Sequence, residues 1–123
     1  MITVLIAVTG GLGAALRFWA DGAIRARWQT ALPVATIGIN TAGSLLIGVL
    51  AGLLGTGTIG VSATVLSIGL CGGFTTFSTA MVESARLLLA GDRRRCAANL
   101  AITMMLTLAA AALGFALATA IVQ

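Results

Sequence analysis

Polar and charged positions in this chain are gathered into a few short gaps between long apolar runs. A hydrocarbon core about 30 Å thick is crossed by roughly 20 helical residues at 1.5 Å rise. Four runs meet that length: Ile2 to Trp19, Pro33 to Leu54, Val61 to Ala90 and Ala97 to Val122. The pattern predicts an all-α integral membrane protein, a single domain of four transmembrane helices over residues 1–123. Between the spans lie a polar segment from Asp21 to Leu32, an uncharged Gly/Thr turn from Gly55 to Gly60, and a basic turn from Gly91 to Arg95. Pro33, the only proline, is placed in the first turn of span 2, where its missing N–H costs nothing.

Span 3 is about 30 residues long and its middle reads Gly69-Leu70-Cys71-Gly72-Gly73-Phe74-Thr75-Thr76-Phe77-Ser78-Thr79. Adjacent glycines followed by Thr and Ser are poor helix formers. A break is therefore expected near Gly72 to Thr76. Non-helical backbone at membrane depth survives only where protein or a polar cavity covers it, so the break is itself a candidate site. Other glycines recur at four-residue spacing: Gly48 with Gly52, Gly69 with Gly73, and Gly38 with Ala42. Small residues at that spacing let membrane helices approach closely.

Composition agrees with this pattern. Hydrophobic residues make up 59% and charged residues 8%, against about 25% charged in soluble domains. Such a chain cannot cover a water-facing surface. The charges are seven Arg, two Asp and one Glu, too few and too clustered to track nucleic-acid phosphates. Arg17, Arg25 and Arg27 sit at the end of span 1 or after it; Arg86, Arg93, Arg94 and Arg95 sit at the end of span 3 or after it. With four spans these groups share one face, which the positive-inside rule assigns to the cytoplasm, with both termini outside. The absence of His removes the commonest catalytic base and metal ligand. Cys71 and Cys96 lack CxxC spacing and read as small buried residues without a disulfide. The first run has no basic residue before its apolar core, so it reads as a retained helix and not a signal peptide.

Several polar groups within the spans need an explanation. Arg17 is either a snorkelling anchor or a charge at a pore mouth. Asn40, with Thr36, Thr41 and Ser44 near it, is either interhelical glue or part of a polar lane. Hydroxyls of Thr75, Thr76, Ser78 and Thr79 could satisfy backbone freed at the break or contact an ion. Glu83 has Arg86 at i+3, the spacing of an intrahelical pair. Asn99, Thr103 and Thr107 recur every four residues and share one face of span 4. Hydroxyl and amide donors suit a small anion better than a cation, and the positive ring edges of Phe18, Phe74 or Phe77 add to that preference.

Three segments together resemble the Fluc/CrcB fluoride channel family: Gly10-Gly11-Leu12-Gly13-Ala14-Ala15-Leu16-Arg17-Phe18, Gly38-Ile39-Asn40-Thr41-Ala42-Gly43, and Gly69 through Thr79. Their order, spacing and the four-span size agree as well, so the resemblance covers the whole chain. It implies an antiparallel, dual-topology dimer with two pores that passively exports fluoride from the cytoplasm and limits its toxicity. It implies a structural sodium ion at the dimer centre, not transported, held by main-chain carbonyls that match Gly72 and Thr75. Asn40, Phe77, Ser78 and Thr79 match pore residues; Thr103 and Thr107 match pore hydroxyls of the last span by spacing. Glu83 matches an acidic residue near the pore end, and Arg17 lies at the pore mouth. Where the family carries a second pore aromatic, three residues after Phe77, this chain has Ala80. The Arg bias toward one face and the missing aromatic together suggest a heterodimer with an inverted paralogue as well as a homodimer.

Two rival classes are distinguishable. A small multidrug resistance exporter needs a membrane-embedded Glu in its first span, and none is present before Asp21. A non-transporting scaffold would need the glycines but no polar lane. No nucleophile–base pair or metal cluster suggests an enzyme.

Overall fold

The computed structural model describes residues 2–122 and contains five α-helices in four membrane-length segments. These are α1 (Ile2–Arg27), α2 (Val34–Gly55), α3 (Val61–Phe74), α4 (Phe77–Leu89) and α5 (Arg93–Val122). Helices α3 and α4 are the two halves of the third span. As the sequence predicts, all the spans are helical and the third is broken.

Three boundaries differ from the sequence expectation. Helix α1 continues eight residues past Trp19, through the stretch read as a loop. Its polar end is held by Arg25 Nε donating to Asp21 Oδ2 at 2.7 Å, one helical turn away. At 1.5 Å per residue this helix is roughly 39 Å long, so its last turns reach beyond the apolar core. Helix α5 starts at Arg93 and not Ala97, because Asp92 accepts from the Arg95 main-chain N–H at 3.0 Å and caps the end. Pro33 is the N-cap of α2 and not inside its first turn.

Packing is pairwise. Helix α1 lies along α3, and α2 lies along α5, its most extensive partner. Past the break the chain changes neighbour: α4 packs against α5, and its backbone does not approach α1. Glycines set both close approaches. A Cβ at Gly13 or Gly73 would collide with backbone of the facing helix, at Leu70 and Gly10 respectively. Gly48 and Gly114 play the same part between α2 and α5, against Ala111 and Leu45. The Gly48/Gly52 and Gly69/Gly73 spacings thus fall at helix crossings. Gly38 does not: it is exposed, and a Cβ there would meet nothing within 4 Å.

Few apolar side chains are buried within the chain. Ala35, Ile37, Ile39, Cys71, Ala80, Cys96 and Ala118 are the covered ones, while Leu, Ile, Val and Met line every outer face. Burial of apolar surface inside one subunit therefore contributes little. Close backbone packing and lipid supply the rest.

Candidate functional site

The break is narrower than Gly72 to Thr76. Gly72, Gly73 and Phe74 remain in α3, and only Thr75 and Thr76 are extended, with ψ of 157° and 118°. The adjacent glycines are thus not the breakers; Gly73 serves the α1 contact. What interrupts the helix is side-chain competition for Thr76. In a continuous helix the Thr76 N–H would bond to Gly72 O. Here it donates to Asn40 Oδ1 at 2.8 Å, while Asn40 Nδ2 donates to Thr76 O at 2.8 Å. Thr76 Oγ1 then accepts from Thr79 N–H at 3.2 Å and caps α4.

Carbonyls at the break are left without a donor, Gly72 O and Thr75 O among them. Among the described residues, none donates to Gly72 O, because Thr76 N–H is on Asn40, or to Thr75 O, because Thr79 N–H is on Thr76 Oγ1. Gly72 is exposed and a Cβ there would meet nothing within 4 Å, so this edge of the break faces outward from the chain. Unpaired carbonyl oxygens are the ligand type that hard cations take. The neighbouring Gly73 O receives a long contact of 3.4 Å from Arg17 Nε. Arg17 thus leans on the C-terminal end of α3 and does not line the groove described next.

A groove of about 480 Å³ opens beside the break. Helix α2 supplies Asn40 and Ser44 to it, the break supplies Thr75 and Thr76, and α4 supplies Phe77 and Ala80. Helix α5 contributes Asn99, Thr103 and Thr107. The α2 and α5 residues recur at intervals of four, so two polar stripes line one groove. Asn40 is nine-tenths buried and keeps one amide N–H beyond the bond to Thr76. Thr103 Oγ1 is buried and has no hydrogen-bond partner among the described residues, whereas Thr107 Oγ1 donates back to Thr103 O at 2.8 Å.

Four of the expected pore residues, Asn40, Phe77, Thr103 and Thr107, therefore meet in one space. Ser78, Thr79, Arg17 and Glu83 do not line it. Ser78 is exposed, and Thr79 Oγ1 accepts from Thr76 Oγ1 at 3.0 Å as part of the cap. Glu83 pairs with Arg25 of α1 and not with Arg86. Phe77 is 77% exposed, at the open edge of the groove. Asn99, which the sequence shows only as one member of a stripe, is the most buried polar side chain among the described residues, at 1%. Its amide orientation is fixed: Ser84 Oγ spends its hydrogen on Ala80 O at 2.8 Å and so accepts from Asn99 Nδ2 at 2.8 Å. The four-residue spacing with Thr103 and Thr107 was the signal for it.

Four apolar spans, one of them broken, around a groove lined by hydroxyls and amides define a multi-pass membrane protein. The family described as CrcB-like protein, camphor resistance, matches residues 4–115. Fluoride-specific ion channel FluC of Methylocella silvestris is 38% identical over 122 residues, covering 96% of this chain and 93% of that protein. Fluoride-specific ion channel FluC 1 of Symbiobacterium thermophilum is 42% identical over 123 residues, with 95% and 97% covered. FluC 1 of Frankia casuarinae is 39% identical over 123 residues, 95% of each. The chain belongs to the CrcB-like family. These relatives carry the names of ion channels, not enzymes.

Proposed function

We propose that this chain is a subunit of a fluoride channel of the cell membrane that lets fluoride leave the cytoplasm passively and so limits its toxicity. One observation carries the reading: relatives matching nearly the whole chain are named fluoride-specific ion channels. The groove supplies the chemistry. Fluoride sheds water only where other donors replace it, and Asn40 and Thr103 offer N–H and O–H groups with no competing carboxylate in the groove lining. Phe77 adds an aromatic edge at the groove's open side.

The working unit in this reading is an antiparallel dimer. The outward-facing break, with Gly72 and Thr75 carbonyls lacking donors, fits a structural sodium ion shared with a second subunit. Bound there, the ion would supply fixed positive charge beside the groove. The partner is a second copy or an inverted paralogue; an inverted paralogue would also supply the aromatic that Ala80 lacks. The Arg-rich end, which carries the α1 terminus and the α4–α5 turn, lies in the cytoplasm, and the termini lie outside.

Cells lacking their own fluoride exporter test the export reading. Expression of this chain, alone or with an inverted paralogue, lowers accumulated fluoride and restores growth in millimolar fluoride. Unchanged accumulation in both settings contradicts the reading. Efflux abolished by collapsing the proton gradient would favour a coupled exporter instead.

A further inference from the structure

The Arg end of the molecule contains a cluster that the groove does not account for. Arg25 donates through Nε to Asp21 Oδ2 at 2.7 Å and through Nη2 to Glu83 Oε1. The Glu83 side chain is only 11% exposed, and its second oxygen is buried with no partner among the described residues. Arg86, one turn away on α4, forms no ion pair with it. The pair therefore joins two helices, α1 and α4, whose backbones do not approach each other. Glu83 also sits close to the groove in sequence and structure: Ala80, one turn before it, lines the groove, and Ser84, next to it, bonds to the groove residue Asn99.

We infer that Arg25 is a positioning residue for anion passage, acting through Glu83 by cancelling its charge at the Arg-end approach to the groove. This rests on the fluoride-channel reading. A carboxylate this covered is poorly screened. At roughly 10 Å from a passing anion and an effective dielectric near 20, an uncancelled charge slows passage about tenfold. Asp21 is the more exposed partner of Arg25, and salt screens it better. Arg25 thus keeps an acidic side chain tolerable beside an anion route. Nothing in the groove itself performs that task.

The test is fluoride efflux from liposomes holding the protein in the dimeric form that conducts, at low and high ionic strength. Arg25→Gln slows efflux about tenfold at low salt, and added potassium gluconate narrows the gap. Arg25→Gln combined with Glu83→Gln returns efflux to within about threefold of wild type, although the cross-helix tie is still missing. Arg25→Lys, which keeps the charge, conducts near wild type. Glu83→Gln alone conducts at least as fast as wild type, and this arm decides if Arg25→Gln fails to fold. A double variant as slow as Arg25→Gln overturns the inference, because the pair would then serve only as a mechanical tie. A wild-type rate in Arg25→Gln, or a slow Glu83→Gln, overturns it equally. Wild-type protein that releases no fluoride sinks the channel reading, and the inference with it; a failed double variant beside brisk wild-type efflux sinks the inference alone.

Discussion

Thr76 turns its N–H away from Gly72 O because Asn40 offers a competing acceptor on a neighbouring helix. The exchange has two effects. It keeps the extended residue paired at membrane depth, where an orphaned N–H costs about 1–3 kcal/mol, and it strips Gly72 O of its donor. Asn40 also forms part of the groove wall with its remaining amide hydrogen. Asn40→Leu is expected to lose both 2.8 Å bonds, lower stability by about 1–3 kcal/mol and abolish fluoride flux. Asn40→Asp keeps an acceptor for Thr76 N–H but sets a negative charge in the groove. It is expected to unfold closer to wild type in detergent while conducting no better than Asn40→Leu. Thermal unfolding and liposome efflux, read side by side, separate the two roles.

The elements divide into those that hold and those that offer chemistry. The crossings α1–α3 and α2–α5 rest on glycines whose Cβ positions are occupied by facing backbone. Backbone cannot yield as a flexible side-chain end can. Gly48→Leu is therefore expected to lower the unfolding temperature markedly, at a cost of about 3 kcal/mol or more, whereas Gly11→Ala, with nothing within 4 Å, is expected to be neutral within the subunit. Thr76→Ala removes the α4 cap and is expected to cost about 1 kcal/mol, visible as faster amide exchange in the first turn of α4. The spans and the break were legible because length and apolarity register directly in sequence. The cause of the break was not. Gly72 and Gly73 were the obvious suspects, but the decisive contact runs from Asn40 to Thr76, 36 residues apart, and no local pattern reports it. The polar end of α1 was misread for the converse reason: hydropathy marks where lipid ends, not where the helix ends. The Asp21–Arg25 spacing was the available clue. Periodicity put Thr103 and Thr107 on one face of α5, and both line the groove, while Ser78 and Thr79, which follow a motif, lie in the α4 cap or face outward.

At the scale of the molecule, one subunit looks half finished. Its groove is open along Phe77, Gly72 at its break is exposed, and large apolar side chains cover its outer faces. In the proposed dimer a second subunit set against the break would close the groove and complete an oxygen cage for sodium. If that cage is structural, replacing sodium by a large organic cation during purification is expected to remove flux and loosen the dimer on size exclusion, and returning sodium is expected to restore both. The most direct measurement is fluoride release from liposomes followed with a fluoride electrode, using protein prepared in sodium and chloride-loaded vesicles as the control. The account predicts rapid fluoride release at a rate far above that of chloride. Release no faster than from empty vesicles, for the chain alone and with an inverted paralogue, would contradict it.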